Sequence, residues 1–264
     1  MADLIKEWNV YRAGDNFRRP ILFLHGFMGS GKIWLPVIEQ LQDSYYCLAL
    51  DLPGHGETKA NLGNLFFDTL AESLISFIDD NCNQPPIIIG YSMGGRIALY
   101  TAIKYPEKFH SIVLESSSPG IADGFERQKR LLSDRTVSEK FLQTDMRSFL
   151  IDWYKQPVFN YLSEKQGLTE KIIDKKSSGN PEFYSKVVIA LSPGRQIPLW
   201  NKLPFLFLPV LIIAGEIDQK YCEIGRRMTD ALPKSRLEII KNAGHIVHLE
   251  NRKDFMSALN SFLS

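Results

Sequence analysis

Short apolar segments that alternate with helical stretches dominate the sequence. Six of these segments are rich in β-branched residues and bounded by turn-forming residues, which is typical of buried strands. They span residues 21–26, 45–51, 86–90, 111–116, 209–216 and 236–240. Amphipathic helices are predicted between them, for example over residues 66–81 and 223–232. Nearly continuous apolar strands separated by helices predict an α/β fold, with a mainly parallel sheet that has helices on both faces.

The alternation is interrupted between residues 120 and 203, where the pattern is helical and charged and no strand is predicted. We expect this cap segment (residues 120–203) to form a helical cap inserted into a core of residues 1–119 and 204–264. The segment contains 14 Lys and Arg against 10 Asp and Glu, a net charge of +4, whereas the whole chain carries +1. Such charges are commonly solvated helix faces, but a basic cap would also attract a polyanionic small molecule.

The stretch "IIIGYSMGGRIALY" (residues 87–100) runs from a predicted strand through a sharp turn into a predicted helix. Ser92 lies in this turn between Gly90 and Gly94, in the pattern G-x-S-x-G. Glycines at these positions let strand and helix approach closely, and a strained turn can hold a serine hydroxyl exposed above the sheet. The pattern predicts a nucleophile elbow, although a plain connecting turn can have the same composition.

The stretch "LHGFMGSGKI" (residues 24–33) has two interpretations. It nearly matches the phosphate-binding loop G-x-x-x-x-G-K-[ST], but Ile33 lacks the hydroxyl that would bind Mg²⁺, and Pro36 follows three residues later. In serine enzymes with a parallel sheet, an H-G segment after an early strand shapes the oxyanion hole. We therefore predict that the backbone N–H groups of Phe27 and Met93 are the oxyanion donors.

A serine that acts as nucleophile or base needs a histidine, and the histidine needs an orienting carboxylate. His245 in "NAGHIVHLE" follows the last predicted strand, at the end of a parallel sheet where catalytic groups gather. Asp218 in "GEIDQK" follows the preceding strand and is the predicted carboxylate, with Glu216 as the alternative. The order Ser92, Asp218, His245 is the one expected for the α/β-hydrolase arrangement.

The other four histidines are assigned structural roles. His25 and His55 lie in the turns "LHGF" and "PGHGET", where we expect them to organise the loops. His110 opens a predicted strand, and His248 starts the helical segment that follows His245.

Composition limits the class of function. The net charge of +1 argues against a nucleic-acid-binding protein, which needs a marked basic excess. Cys47, Cys82 and Cys222 are widely spaced and form no C-x-x-C pair, so neither a disulfide framework nor a metal site is predicted. No apolar run is long enough to span a bilayer, and no targeting segment is recognised. We expect a cytoplasmic protein that acts on a small molecule.

Several motifs together resemble a known family. "LHGFMGSGKIW", "DLPGHGET", "GYSMGG", "GEIDQK" and "NAGHIVHLEN" are similar to the α/β-hydrolase superfamily along the whole predicted core. "GYSMGGRIAL", "SSPG", "ERQKRLLSDR", "FLIDWYKQPVF" and "ALSPGRQIPLW" resemble the 2-succinyl-6-hydroxy-2,4-cyclohexadiene-1-carboxylate (SHCHC) synthase family of menaquinone and phylloquinone biosynthesis. The second set includes the cap segment, which general esterases do not share.

The resemblance assigns roles residue by residue. Ser92, Asp218 and His245 match the family's catalytic triad. Positions that match its substrate pocket are Tyr91, Arg96, Arg130, Trp153 and Phe159, with weaker matches at Arg127 and Gln156. Where relatives have a further cap arginine, this chain has "DKKSSGN", so Lys175 or Lys176 would replace it. A lysine keeps the charge but loses the planar bidentate geometry of a guanidinium.

The resemblance implies a carbon–oxygen lyase that needs no metal and no organic cofactor and removes pyruvate from an anionic cyclohexene carboxylate. Two other classes stay open. An ester, thioester or carbon–carbon hydrolase would use the same triad with Ser92 as nucleophile, because a fold alone does not fix a reaction. A non-catalytic ligand receptor could also have this fold, although an intact triad argues against it.

Overall fold

The computed structural model describes residues 4–159, 161–162 and 167–264. Its described residues contain a seven-stranded sheet in the order β2-β4-β3-β6-β7-β8-β9 and a small antiparallel pair, β1 with β5. The strands of the large sheet are β2 (Val10–Ala13), β3 (Pro20–Leu24), β4 (Tyr46–Leu50), β6 (Ile87–Tyr91), β7 (Ser111–Glu115), β8 (Val210–Gly215) and β9 (Ser235–Ile240). The small pair is β1 (Ile5–Glu7) and β5 (Lys59–Ala60). Only β2 runs antiparallel to its neighbour in the large sheet, so the prediction of a mainly parallel sheet is confirmed.

All six predicted strands are present, each within two residues of its predicted ends. The edge strand β2 was missed because its sequence "VYRA" is short, half-polar and only partly buried. The pair β1 and β5 was missed for the same reason, since strands of two or three partly exposed residues have no readable pattern.

The central strands are apolar throughout because both of their faces are covered. In β3, Ile21 and Phe23 belong to one buried cluster, and the alternating Leu22 and Leu24 belong to the other. Side chains alternate between the faces of a strand, so this division places a core on each side of the sheet. Full burial of each such side chain contributes about 1.5–3 kcal/mol relative to exposure.

Helices cover both faces. The first face is covered by α1 (Leu35–Leu41) and α10 (Arg252–Leu263), whose apolar side chains share a cluster with Ile21 and Phe23. The second face is covered by α2 (Phe67–Asn81), α3 (Met93–Lys104) and α8 (Gln219–Ala231). The helix α8 begins four residues before its predicted start, directly after Asp218, and α3 begins directly after Ser92.

The cap segment connects β7 to β8, and its described residues form helices and no strand. These helices are α4 (Gly124–Gln143), α5 (Met146–Trp153), α6 (Leu168–Lys176) and α7 (Pro181–Ala190). Phe141 of α4 stacks on Phe149 of α5, with ring centroids 3.9 Å apart. Both rings belong to the same buried cluster as Phe23, so this part of the segment packs continuously with the core. That residues 120–203 form a distinct cap domain remains our proposal.

A short helix α9 (Val247–Glu250) follows the loop after β9 and leads into α10. Among the described residues, no helix combines the length and the apolar character needed to cross a membrane.

Candidate active site

Ser92 lies at the sharp turn between β6 and α3, with φ 52° and ψ −108°. This left-handed conformation is unusual for a residue with a side chain and is tolerated where the surroundings fix it. A Cβ at Gly90 would lie 2.5 Å from the carbonyl oxygen of Gly94, and one at Gly94 would lie 2.3 Å from that of Leu24. Both glycines are therefore required for strand and helix to approach, and the serine is left at the start of the helix.

The structure brings Ser92, His245 and Asp218 together. Nε2 of His245 lies 3.1 Å from the Ser92 hydroxyl oxygen, and Nδ1 lies 2.6 Å from Oδ2 of Asp218. The carboxylate fixes the tautomer with hydrogen on Nδ1, which leaves Nε2 free to accept the serine proton. Asp218 also caps α8, because its Oδ1 accepts from the backbone N–H of Tyr221 at 3.4 Å. The alternative acid, Glu216, is exposed and has no contact with His245.

Phe27 and Met93 both line the cavity next to Ser92. Their backbone N–H groups donate no hydrogen bond to any other described residue. The turn that carries Phe27 is stabilised by a hydrogen bond from the Met28 N–H to Nε2 of His55 at 3.0 Å. Their assignment as oxyanion donors remains a proposal that this geometry supports.

His25 and His55 lie beneath this turn, as loop-organising residues should. His25 accepts from the backbone N–H of Leu52 at 2.9 Å and donates from Nδ1 to the carbonyl of Gly26 at 2.7 Å. Burial lowers the pKa of His25 to about 4 and that of His55 well below its usual value. Both rings are consequently neutral at neutral pH, which lets them accept backbone hydrogen bonds.

The "GSGK" stretch does not form a phosphate cradle. The N–H of Gly31 donates to the buried carboxylate of Asp51 at 2.7 Å, so a negative charge already lies at the loop. The N–H groups of Gly29 and Ile33 donate to carbonyls within the loop, and α1 has only seven residues. Three of the loop N–H groups are therefore already used, and a phosphate would be repelled by Asp51.

A cavity of about 410 Å³ opens over Ser92 and is bounded by the sheet edge and the cap segment. The pocket positions that line it are Tyr91, Arg96, Arg130, Trp153, Gln156, Phe159 and Lys176. Arg127 is not among the lining residues, so its weaker match receives no support from the geometry. Lys175 is exposed and lies outside the cavity, whereas its neighbour Lys176 faces it.

Aromatic residues surround the imidazole of His245 and line the cavity. The ring of Phe27 contacts that of Trp153 at 5.8 Å, and the ring of Phe159 lies 5.8 Å from that of His245, edge to face. The Tyr91 ring lies 5.5 Å from that of His245. Burial, followed by the charge of Glu115, raises the Tyr91 pKa well above its usual value, so its hydroxyl stays neutral.

Arg96 is a buried charge rather than a surface one. Its guanidinium donates to Oε1 of Gln196 at 3.0 Å and to the carbonyl of Leu191 at 2.8 Å, and it lies over the Phe67 ring. Burial, and then the nearby charge of Arg130, lowers the pKa of Arg96 to about 10. The side chain remains charged at neutral pH and has no described carboxylate within ion-pair distance. An anionic ligand would therefore stabilise this buried charge.

Arg130 is oriented by an acid in the same helix. Its Nε donates to both carboxylate oxygens of Asp134 at 2.9 Å, and Asp134 also accepts from the Ser192 hydroxyl at 2.6 Å. The two terminal nitrogens of the guanidinium donate to no other described residue. They are therefore available for a bidentate contact with a carboxylate in the cavity.

Two lysines complete the positive lining. Lys176 lies 5.5 Å from the Tyr154 ring centroid, and burial lowers its pKa to about 8. Lys220, in the first turn of α8, lines the cavity and was missed by the sequence analysis. Its signal was its position two residues after the predicted acid, because that spacing places it beside the triad. Burial and Arg130 lower the pKa of Lys220.

The cavity lining therefore contains four cationic side chains and a single carboxylate, Asp134, counted over the residues that the structure describes. Such a lining favours a ligand with several negative charges. Over the same residues, no group of three or more His, Cys, Asp or Glu side chains is arranged to hold a metal ion.

Comparisons with known proteins agree on the family. A family model described as alpha/beta hydrolase fold matches residues 19–252. A Serratia proteamaculans protein named 2-succinyl-6-hydroxy-2,4-cyclohexadiene-1-carboxylate synthase is 32% identical over 256 residues, which cover 96% of each chain. A Bacillus subtilis protein named "Putative 2-succinyl-6-hydroxy-2,4-cyclohexadiene-1-carboxylate synthase" is 36% identical over 257 residues, which cover 95% of this chain and 92% of that one. The solved structure of MenH from S. aureus matches with a TM-score of 0.91 and 30% identity, covering 98% of both chains.

Proposed function

Because this chain belongs to the alpha/beta hydrolase fold family and, within it, to the SHCHC synthases, we propose that it eliminates pyruvate from 2-succinyl-5-enolpyruvyl-6-hydroxy-3-cyclohexene-1-carboxylate to give SHCHC. The observation that carries the proposal is the combination of a serine–histidine–aspartate arrangement with four cationic side chains in one cavity. We place the reaction in menaquinone or phylloquinone biosynthesis in the cytoplasm. The three cysteines, all described, are free, in keeping with a reducing compartment.

The charge of the substrate fits the lining. The proposed substrate has three carboxylates, one on the succinyl group, one on the ring and one on the enolpyruvyl group. Arg96, Arg130, Lys176 and Lys220 offer four cations against the one carboxylate of Asp134. Each hydrogen bond between a charged side chain and a substrate carboxylate contributes about 1.5–3 kcal/mol. A neutral ester would offer these cations no carboxylate, which disfavours a general esterase.

The reaction begins with removal of a ring proton. His245 takes the hydroxyl proton of Ser92 through Nε2, and the serine oxygen removes the proton from the ring carbon next to the succinyl carbonyl. Asp218 stabilises the imidazolium that forms. The C–H electrons move toward the succinyl carbonyl and give an enolate. No acyl-enzyme is required, so Ser92 acts as a base rather than as a nucleophile.

The enolate oxygen would accept hydrogen bonds from the N–H groups of Phe27 and Met93. Collapse of the enolate forms a double bond between C2 and C3 of the ring and shifts the existing double bond from C3–C4 to C4–C5, which breaks the carbon–oxygen bond at C5 to the enolpyruvyl group. The leaving group departs as the enolate of pyruvate and takes up one proton, which the His245 imidazolium can return through Ser92. Atoms balance as one substrate to one SHCHC and one pyruvate.

The proposal is tested by supplying the purified protein with the cyclohexene substrate and following pyruvate with lactate dehydrogenase and SHCHC by its absorbance. We expect the two products to appear in equal amounts, well above spontaneous decay. A protein that hydrolyses neutral esters rapidly, yet does not accelerate pyruvate release, would support the hydrolase alternative instead.

A further inference from the structure

Two buried carboxylates outside the cavity hold the loop that carries His245. The first belongs to Glu250, at the end of α9. One of its oxygens accepts from the backbone N–H of Gly244, and the other accepts from that of Ile246 at 3.1 Å. The side chain of Glu250 is thus hydrogen-bonded to the backbone on both sides of His245.

The second carboxylate belongs to Glu115, the last residue of β7. It is fully buried and accepts from Nδ1 of His248 at 2.7 Å and from the backbone N–H of His248 at 3.1 Å. Its backbone carbonyl accepts from the N–H of Ser92 at 2.9 Å. One residue is therefore bonded to the serine turn through its main chain and to the histidine loop through its side chain.

The surroundings of His248 make this anchor rigid. Its ring is fully buried and stacks on that of Trp34, with centroids 4.4 Å apart, and it contacts the Tyr91 ring at 5.2 Å. The buried ring is enclosed by Trp34, Tyr91 and Glu115, so its contacts connect the end of β7 to α9.

Neither carboxylate can serve the substrate directly. Glu115 and Glu250 are both absent from the residues that line the cavity, and both are buried. Burying a carboxylate is costly unless hydrogen bonds compensate it. Glu250 accepts from two backbone N–H groups of this loop, and Glu115 accepts from the backbone N–H and the ring of His248. These hydrogen bonds act on the backbone on both sides of His245 and on the ring of His248.

We propose that Glu250 and Glu115 are positioning residues that hold His245 at hydrogen-bond distance from Ser92. The inference rests on the proposed role of Ser92 and His245 but not on the choice between lyase and hydrolase. A shift of about 1 Å in a catalytic group can lower a rate by about 100-fold. Loss of either anchor therefore reduces proton transfer between serine and histidine without weakening substrate binding.

The test uses Glu250→Gln and Glu115→Gln, which keep the side-chain shape. At Glu250 a glutamine presents one carbonyl oxygen and one NH₂ group to two backbone N–H donors, so one of the two hydrogen bonds is lost. At Glu115 it removes the negative charge and the contact between Oε2 and Nδ1 of His248. We expect kcat to fall about 10- to 100-fold while KM changes less than twofold. The rate at which a fluorophosphonate labels Ser92 should fall by a similar factor, because labelling depends on the same serine–histidine pair.

Controls separate positioning from a general loss of stability. Glu216→Gln removes an exposed carboxylate from the neighbouring loop and should leave kcat and labelling unchanged. Leu74→Ala in α2 lowers stability by opening a cavity in the other core, far from the loop, and shows what a lower Tm does by itself. Glu250→Asp, which keeps the charge but shortens its reach, is the second variant if a glutamine variant fails to fold.

Loss of Tm in the glutamate variants with unchanged kcat and unchanged labelling would overturn the inference, as would a rise in KM alone. The proposed function fails in a different way. If the wild-type protein itself resists the fluorophosphonate and releases no pyruvate, Ser92 is not activated and there is no pair to position.

Discussion

The hydroxyl oxygen of Ser92 lies 3.1 Å from Nε2 of His245, although the two residues are 153 positions apart in the chain. The contact joins the turn after β6 to the loop after β9, at the carboxyl edge of the sheet. Because Asp218 is hydrogen-bonded to the same imidazole, we propose that the three side chains act as one proton-transfer unit.

The first prediction concerns this unit. Ser92→Ala or His245→Ala should lower turnover by at least about 1,000-fold, because a base and its activator fail together when either is removed. The double variant should be no worse than the single ones. Steady-state pyruvate release measures the effect, and circular dichroism checks the fold. Near-normal activity in either variant would remove Ser92 and His245 from the mechanism.

The second prediction concerns Lys176, whose pKa burial lowers to about 8. The charged form that binds a carboxylate is present below this value and is lost as the pH rises through it. Between pH 7 and pH 9 the charged fraction falls about tenfold, so kcat/KM should fall by a similar factor.

The control for this prediction is Lys176→Arg, since a guanidinium stays charged over the same range. Its kcat/KM should fall much less than that of wild type between pH 7 and pH 9, and any remaining decline belongs to the substrate or to Lys220, whose pKa is also lowered. A decline of equal size in wild type and in Lys176→Arg would assign the pH dependence to another group.

The third prediction addresses the resemblance of "GFMGSGKI" to a phosphate loop. ATP with Mg²⁺ should neither raise the Tm nor be hydrolysed, because Ile33 lacks the hydroxyl that would bind Mg²⁺ and the N–H of Gly31 already donates to Asp51. Thermal shift titration is the measurement. A saturable increase in Tm would restore the nucleotide interpretation.

The sequence predicted the features that depend on local pattern. Apolar strands, the glycines on either side of Ser92 and the order of the three triad positions all have local signals, and the fold they imply is confirmed. The backbone strain at Ser92 also follows from its position between two glycines that admit no Cβ.

Features that depend on which way a helix faces were not accessible from pattern alone. Arg127 and Arg130 are three residues apart on α4, yet only Arg130 lines the cavity. Lys175 and Lys176 are adjacent, and about 100° of helical rotation separates the exposed lysine from the one in the cavity. The packing of the cap segment decides which arginine and which lysine face the cavity, and no local sequence pattern predicts that packing.

Polar contacts between residues far apart in the chain were also not predicted from the sequence. Glu115 reads as the end of an apolar strand and Glu250 as an ordinary helical residue. Their burial and their bonds to the histidine loop appear only when β7 and α9 come together in the fold.

The central claim is that this cavity recognises a carboxylate-bearing substrate for elimination rather than a neutral ester for hydrolysis. Arg130 tests it best, because among the described residues its guanidinium donates hydrogen bonds to Asp134 alone, through Nε, and its terminal nitrogens are free. Arg96 is a poorer probe, since its guanidinium also supports Leu191 and Gln196. Lysine at position 130 should rescue only partly, because it cannot form the bidentate contact.

The decisive measurement is therefore kcat/KM of wild type and Arg130→Ala for two substrates, the enolpyruvyl cyclohexene and nitrophenyl acetate. Loss of a charged hydrogen bond of about 1.5–3 kcal/mol should lower kcat/KM for the cyclohexene by about 10- to 150-fold. The value for the acetate should be nearly unchanged and far below that of wild type on the cyclohexene. Rapid hydrolysis of the acetate, with Arg130→Ala indistinguishable from wild type on both substrates, would contradict the claim and make Ser92 an acyl nucleophile.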